Sequence, residues 1–428
     1  MTSPLRLGIA GIGTVGTGTI RILQRHADLL EARGGRPIEI KAVSSRNRNK
    51  DRGVRLGEYE WEDDPVALAR RDDIDVFVEL IGGEDGPAKD AVEAAIEAGH
   101  DVVTANKALL AHHGQALAER AEAQGAVLRF EAAVAGGIPC VKALTEGLAG
   151  NEITRVMGVM NGTCNYILTR MESAGLTYDQ VFAEASELGY LEADPTLDVG
   201  GIDAGHKLAL LASIAFGTKV DFDGVALEGI ERIKIEDIRH AADMGFAVKL
   251  LGVAQMTGRG LEARMSPCLV PQTSPLGQLD GATNMVVLDG DAVGQVVLRG
   301  AGAGEGPTAS AVLSDIVDIA RGNRVSTFGQ PAARLVPARR AEAATPAPFY
   351  LRMVLTDRPG ALAKIAARLG EAGISIDRMR QYDHTEGSAP VLIVTHRAMR
   401  RALDEAIDAM ADTGVLEGEI VALRIEDV

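Results

Sequence analysis

The sequence predicts an α/β chain in three parts: a parallel sheet wrapped by crossover helices, an α+β middle, and a small C-terminal β-α-β-β-α-β unit. Three observations carry this prediction. Through the first third, short β-rich runs alternate with helical stretches of ten residues or more, the pattern of parallel strands joined by helices. From about residue 140 the helical stretches dominate and mix with long strand candidates. Beyond an Ala- and Pro-rich segment at 337–348, the chain returns to short elements in the split-βαβ order. A length of 428 residues accommodates two or three such domains.

Taken in order, "LRLGIAGI" reads as the first strand, followed by a helix from about Thr14 to Arg33 and the strand "IEIKAVSS". "DIDVFVELI" and "DVVTA" are further strands, separated by the helix "AKDAVEAAIEAG". The helix "LLAHHGQALAERAEAQG" and the strand "VLRFEAAV" complete a first domain at 1–138. The second domain, 139–299, carries helical patterns at Pro139–Ala149, Asn165–Ala174, Tyr178–Leu188, Asp203–Phe216 and Glu236–Met244. Its strand candidates are "VKLLGVAQM" and "LEARMSPCLV". "PARRAEAATPAP" has no apolar periodicity and reads as a linker at 337–348. The third domain, 349–428, runs from "FYLRMVLT" to "LEGEIVALRIED".

Composition narrows the function classes. Apolar residues at 46% and charged residues at 24% are ordinary globular values. Lys plus Arg number 44 against 60 for Asp plus Glu, and the net charge of -16 argues against nucleic-acid or anionic-membrane partners. No apolar stretch reaches the roughly 18 residues of a membrane span, and the start lacks a basic region followed by a cleavable apolar run. Cys140, Cys164 and Cys268 are isolated, which indicates neither a disulfide framework nor a zinc site. The expectation is a soluble, cytoplasmic protein with small-molecule partners.

"GIGTVG" sets Gly11, Gly13 and Gly16 in G-x-G-x-x-G spacing, directly after a strand and at the opening of a helix. Gly11 permits the tight turn, Gly13 lets a pyrophosphate approach the backbone, and Gly16 lets the helix pack closely on the strand. With Thr14 and Val15, these residues form a dinucleotide-binding turn whose free N–H groups meet phosphate charge. The second strand ends "AVSSRNRNK" without the acid that would hold a ribose hydroxyl. Arg46 suits a bidentate phosphate contact, so NADP(H) is the expected cofactor and NAD(H) the second candidate. The competing reading of this stretch is a solvated basic loop.

The chemistry is expected at "GYLEADPTLDVGGIDAGHK", residues 189–207. Asp203 and Lys207 stand four apart at the start of an apolar helix, so their side chains share a face. Lys207 is the candidate proton relay, with burial lowering its pKa toward working pH and Asp203 orienting it. An exposed ion pair worth about half a kcal/mol is the alternative. Glu192 and Asp198 add anionic character that suits an ammonium-bearing substrate. Lys107, directly after the fourth strand, falls at the carboxyl edge of the sheet, where open α/β folds bind ligands. Cys140 and Cys164 are better read as buried, inert thiols than as nucleophiles, and His206 as a packing residue.

In this order, "GIGTVG", "TANKALL", "EAAVAGGIP", "NGTCNYIL", "GYLEADPTLDVGGIDAGHK" and "GAGAGEGPTASAVLSD" resemble homoserine dehydrogenases over essentially the whole chain. The resemblance implies reversible reduction of L-aspartate 4-semialdehyde to L-homoserine, in the biosynthesis of threonine, methionine and isoleucine. By it, Lys207 looks like the acid/base, Asp203 and Glu192 grip substrate, Asp198 shapes the site, and Lys107 assists at the reacting end. It adds Thr104, Gly189 and Gly304 to the cofactor set, and implies that residues near 300–336 close the first, Rossmann-type domain. It also implies a monovalent cation, sodium or potassium, held by Glu131, Val134, Gly136 and Ile138. The tail resembles an ACT domain, a module that pairs across dimers and binds amino acids. Threonine is then the expected effector at "DRPGAL", residues 357–362, and a homodimer or homotetramer the expected assembly. Two other readings remain: another amino-acid dehydrogenase on this scaffold, and a sensor of nucleotide and amino acid without turnover.

Overall fold

The computed structural model describes residues 3–191, 194–382 and 387–428. Its first sheet comprises β1 (Leu5–Ala10), β2 (Ile38–Ser44), β3 (Glu60–Glu62), β4 (Val76–Glu79), β5 (Asp101–Thr104) and β6 (Leu128–Arg129). All pairings are parallel, in the order β3-β2-β1-β4-β5-β6. The strand order reverses between β1 and β4, so a crevice opens there beyond the carboxyl ends of the strands. Leu5, Leu7, Ile9, Val76, Val78 and Val103 are buried on one face of this sheet and Ala10, Ala42, Phe77 and Val102 on the other, as parallel strands require. One covering layer comes from far along the chain. The helix Glu305–Ala320 returns to pack Val312, Leu313 and Ile316 into the same core. It lies so near the helix Thr14–Arg25 that a Cβ on Gly18 would come within 2.7 Å of Glu305 Cγ.

The second sheet contains β7 (Ile153–Val159), β8 (Ala226–Leu227), β9 (Phe246–Thr257), β10 (Gly260–Pro271), β11 (Thr283–Gly290) and β12 (Gly294–Ala301). It also contains β13 (Phe349–Thr356), β14 (Ile376–Gln381), β15 (Ser388–Thr395) and β16 (Val421–Ile425). The order is β12-β11-β7-β9-β10-β16-β13-β15-β14, with β8 pairing β10. The C-terminal unit is therefore not a detached bead. Its strand β16 runs parallel to β10, with Cys268 opposite Arg424 and Leu269 opposite Ile425. The segment 337–348 is fastened along the same body: Ala341 N–H donates to Leu261 O at 2.9 Å, and Arg340 pairs with Asp221 at 2.6 Å.

Several elements differ from the sequence expectation. The helix expected over Thr14–Arg33 breaks at His26 into Thr14–Arg25 and Ala27–Gly34, because His26 leaves helical dihedrals (φ -122°, ψ 27°). "VLRFEAAV" gives only the two residues of β6 before a 3₁₀ turn at Glu131–Ala133. The helix expected at Pro139–Ala149 is one α-turn, Cys140–Lys142, widening into a π-turn at Ala143–Gly147. β7, β11 and β12 carry no expectation at all. β12 is an edge strand whose burial alternates with exposure, and β7 is interrupted by Arg155 and Gly158. Among the described residues, no helix is long and apolar enough to cross a membrane.

Candidate active site

At the crevice, the G-x-G-x-x-G turn has the geometry its glycines demand. Gly11 sits at φ +96°, and a Cβ there would come within 2.3 Å of Leu80 O. A Cβ on Gly16 would come within 2.1 Å of Gly11 O, so the helix could not seat against the turn. Gly13, the N-cap of the helix Thr14–Arg25, has no atom within 4 Å of an added Cβ and faces open space. A cavity of about 540 Å³ begins here, and its wall includes Gly11, Gly13, Ser44, Arg46, Lys50 and Arg52. Arg52 organises that basic loop. Its guanidinium donates to Ile12 O at 2.8 Å, Asn47 O at 2.7 Å and Ser45 Oγ at 3.1 Å, tying the loop to the glycine turn. Arg48 and Arg52 also stack near the Trp61 ring, at 5.8 and 5.9 Å from its centroid. Arg46 is exposed on the cavity wall.

A second cleft, of about 550 Å³, continues from Thr14 and Val15 between the two sheets. Lys107, Asp203, Lys207, Asp198, Gly189 and Gly304 all line it. Each is set by its element. Lys107 opens the helix Lys107–Ala123, which Asn106 caps by accepting from Leu109 N–H at 3.1 Å. Gly189 (φ +73°) ends the turn after the helix Tyr178–Glu187, and Gly304 (φ +119°) is the N-cap of Glu305–Ala320. Asp203 lies in the first turn of the helix Ile202–Phe216, one turn before Lys207.

The charged groups converge on Asp203. Lys207 Nζ donates to Asp203 Oδ2 at 2.6 Å and to Met160 O at 2.9 Å. Lys107 Nζ reaches the other carboxylate oxygen at 2.8 Å, so one acid joins the nucleotide half to the other half of the cleft. Burial by itself would raise the Asp203 pKa, but Lys207 and Lys107 outweigh it and hold the carboxyl well below the usual range. Asp198 is buried and accepts from Asn161 Nδ2 at 3.0 Å; the same amide nitrogen lies 3.4 Å from Asp203 Oδ2. Asn161 was not foreseen. It also caps the helix Gly162–Ala174 through Cys164 N–H at 2.8 Å, and only the cap was legible in "NGTC". Such a constellation can hold an amino acid and move a proton at its far end. Glu192 lies outside the described residues.

Of the other expected residues, Gly136 lines the second cleft beside Ala133 and Ala135, and the rest stand back from it. Thr104 is fully buried, its hydroxyl bonded to Glu79 at 2.5 Å, and it lines neither cleft. Glu131 opens the 3₁₀ turn just past the carboxyl end of β6, its carboxylate accepting from Val141 N–H at 3.0 Å and Lys142 N–H at 2.8 Å. Burial, helped by Asp315, pushes it up to about 7. Val134 O receives the Cys140 thiol at 3.5 Å, and Ile138 O accepts from Cys140 N–H at 2.8 Å. Ala135 (φ +53°) and Gly136 (φ +46°) turn the chain between them through the left-handed region. Cys140 and Cys164 are buried, and burial pushes both thiols far up, which leaves them poor nucleophiles.

Known proteins share this architecture. A family model for the homoserine dehydrogenase NAD-binding domain matches residues 11–131, one for homoserine dehydrogenase matches 139–317, and one for the ACT domain matches 349–414. A homoserine dehydrogenase of Pseudomonas aeruginosa is 42% identical over 438 residues, with 99% of each chain covered. The crystal structure of a homoserine dehydrogenase from Thiobacillus denitrificans matches with a TM-score of 0.93 at 40% identity, covering 99% of both chains. A hyperthermophilic archaeal homoserine dehydrogenase mutant in complex with NADPH matches 74% of this chain and 97% of its own, with a TM-score of 0.63 at 27% identity.

Proposed function

The chain belongs to the homoserine dehydrogenase family, and on that premise we propose that Lys207 is its acid/base and Asp203, with Lys107, its electrostatic anchor. The enzyme is an oxidoreductase that uses a nicotinamide cofactor and interconverts L-aspartate 4-semialdehyde and L-homoserine. When bound, the reduced nicotinamide supplies hydride to the aldehyde carbon. Lys207 Nζ then gives a proton to the oxygen that becomes the alcohol, and takes it back in the reverse direction. Lys107, held by the same carboxylate, polarises that oxygen. Asp198, Asp203 and Glu192 hold the ammonium end, with Asn161 keeping the first two in register.

The observation that carries this reading is the Lys207–Asp203–Lys107 chain, its first two members buried and its third half-buried, with separations of 2.6 and 2.8 Å, in a cleft reached by the glycine turn. Lys207→Ala is expected to lower kcat for homoserine-dependent NADP⁺ reduction by roughly 10²–10⁴-fold, the range for a lost general acid. A variant with near wild-type kcat and unchanged KM would remove Lys207 from that role.

NADP(H) is the preferred cofactor in this reading, because the loop after β2 puts Arg46, Lys50 and Arg52 on the cavity wall and no acid of its own. Gly11, Gly13, Thr14, Val15 and Gly16 hold the phosphates, and Gly189 and Gly304 flank the nicotinamide end. Thr104 contributes by fixing the Glu79 loop, whose carboxylate binds Ile81 N–H and Gly82 N–H at 2.7 and 3.0 Å. Glu131 with the carbonyls of Val134, Gly136 and Ile138 suits a sodium or potassium ion. One buried carboxylate among backbone oxygens is a hard-donor set, and each carbonyl retains a second lone pair. Such an ion would stiffen the turn that backs the cleft. The ACT unit would report threonine, in an oligomer of two or four chains in the cytoplasm.

A further inference from the structure

Asn284, the second residue of β11, lines the cleft that holds Asp203 and Lys207 and is only 1% exposed. Its amide oxygen takes no part in the Asp203 network. Oδ1 is buried and has no hydrogen-bond partner among the described residues. A buried carbonyl oxygen without a donor costs free energy and is rare in folded proteins. Asn161, in the same cleft, shows the ordinary case: its Oδ1 accepts from Cys164 N–H at 2.8 Å and its Nδ2 donates to Asp198 at 3.0 Å. The chain beside the Asn284 amide is cut back to glycine. A Cβ on Gly302 would come within 1.9 Å of Nδ2, 2.1 Å of Cγ and 2.6 Å of Oδ1. Gly302 is not among the glycines at left-handed φ, so its backbone would accept a side chain and the amide forbids one. On the other side, a Cβ on Gly162 would lie 3.3 Å from Oδ1. The amide therefore stands between the 302–304 turn and the start of the helix Gly162–Ala174, with an acceptor free for a ligand.

We propose that Asn284 binds the carboxamide of the nicotinamide, its Oδ1 accepting from the carboxamide nitrogen, and so selects the face of the ring that meets the substrate. The cationic donors of the cleft are already committed, since Lys207 and Lys107 both bond Asp203. A substrate ammonium is a charged donor and goes to the carboxylates of Asp198 and Asp203, where the bond is stronger. A carboxamide N–H is neutral, and the oxygen of a neutral amide is its complement. Gly302, packed on Asn284, lies two residues before Gly304, at the end of the cleft assigned above to the nicotinamide. The inference rests on that assignment.

The consequence is one of orientation. Half a turn of the ring about its bond to the ribose exchanges its two faces and carries the carboxamide to the opposite side. A hydrogen bond to the carboxamide on one side therefore commits one face to hydride transfer. Asn284 is built to hold still for this. Its strand is paired on both sides, with Asn284 opposite Gly300 of β12 and the next residue, Met285, opposite Val159 of β7.

The test is calorimetric titration of the full-length protein with NADP⁺ and two analogues. The 3-acetylpyridine analogue lacks the carboxamide nitrogen, and the thionicotinamide analogue keeps it. Wild type is expected to bind the acetylpyridine analogue about tenfold more weakly than NADP⁺, as a buried acceptor left unpaired dictates. It should bind the thionicotinamide analogue about as tightly as NADP⁺. Asn284→Ala should lose about tenfold in affinity for NADP⁺ and for the thionicotinamide analogue and none for the acetylpyridine analogue, so that the three affinities converge. KM for homoserine at saturating cofactor should hold. If Asn284→Ala fails to fold, Asn284→Ser and the wild-type series decide. Equal binding of all three ligands by wild type would overturn the proposal. So would equal weakening of all three in the variant, which is the mark of packing alone, or a rise in KM for homoserine with cofactor binding unchanged. Converging affinities in a protein that never turns over homoserine would overturn the proposed activity and leave Asn284 in its place.

Discussion

Asp203 shows how one residue organises the cleft. A buried carboxylate alone would take up a proton; held between two ammonium groups it stays ionised and fixes both lysines. Arg46 tests the nucleotide end. Arg46→Asp should raise KM for NADP⁺ far more than KM for NAD⁺, and equal changes would return the loop to a solvated role. His206, next to Lys207, is buried beside Phe222 and His112, with ring centroids at 4.3 and 5.4 Å, and its Nε2 has no hydrogen-bond partner among the described residues. Burial, followed by the charges of His112 and the two lysines against that of Asp203, lowers it to about 4 from 6.5. The unfolded chain therefore takes up this proton first as pH falls. The stability of the neutral form is whole above pH 6.5 and lost on the way down to about 4. Thermal unfolding at pH steps between 4 and 7 should show a steeper acid limb for wild type than for His206→Gln; coincident limbs would acquit His206.

At the scale of elements, the glycine turn and the helix it opens are a single fitted unit. Gly16→Ala puts a Cβ 2.1 Å from Gly11 O, so the helix must lift off the turn. The expected result is a loss of about 1–3 kcal/mol, typical of overpacking, together with a rise in the dissociation constant for NADP⁺ measured by fluorescence titration. Unchanged affinity would mean that the turn can open without harm to the phosphate cradle. The helix Ile202–Phe216 is constrained in a different way. Gly201 at φ +79° starts it, and β7, β9 and β10 pack along it, so the Asp203–Lys207 spacing is delivered at a fixed height in the cleft.

Across the whole molecule, the seam between β10 and β16 makes the C-terminal unit part of the second sheet. Glu426 anchors that seam, binding Arg264 and Arg424 from a buried position. Glu426→Gln leaves these guanidinium groups short of a counter-charge, and removing one partner of a buried pair costs about 3–5 kcal/mol. Chemical denaturation should register that loss; a change below about 1 kcal/mol would place the seam with ordinary surface ion pairs. Truncation before Phe349 should likewise bare the β10 edge, raising light scattering and lowering the midpoint of unfolding.

Much of this was local and therefore legible. Strand–glycine turn–helix, the i, i+4 pair of Asp203 and Lys207, and the β-α-β-β-α-β tail are encoded within short windows, where backbone sterics and side-chain period act directly. β7, β11 and β12 escaped because their residues are fixed by sheet neighbours rather than by their own propensity. Lys107 on Asp203, Asn161 between two carboxylates, and Arg52 on Ile12 each join residues far apart in sequence or bond a side chain to a distant backbone. No spacing rule reaches those contacts. The sequence by itself determined the parts and the chemistry they can perform. Only the tertiary structure decided that one carboxylate serves two lysines from separate halves and that the last strand closes on β10, because burial and long-range pairing assign partners that local patterns leave open.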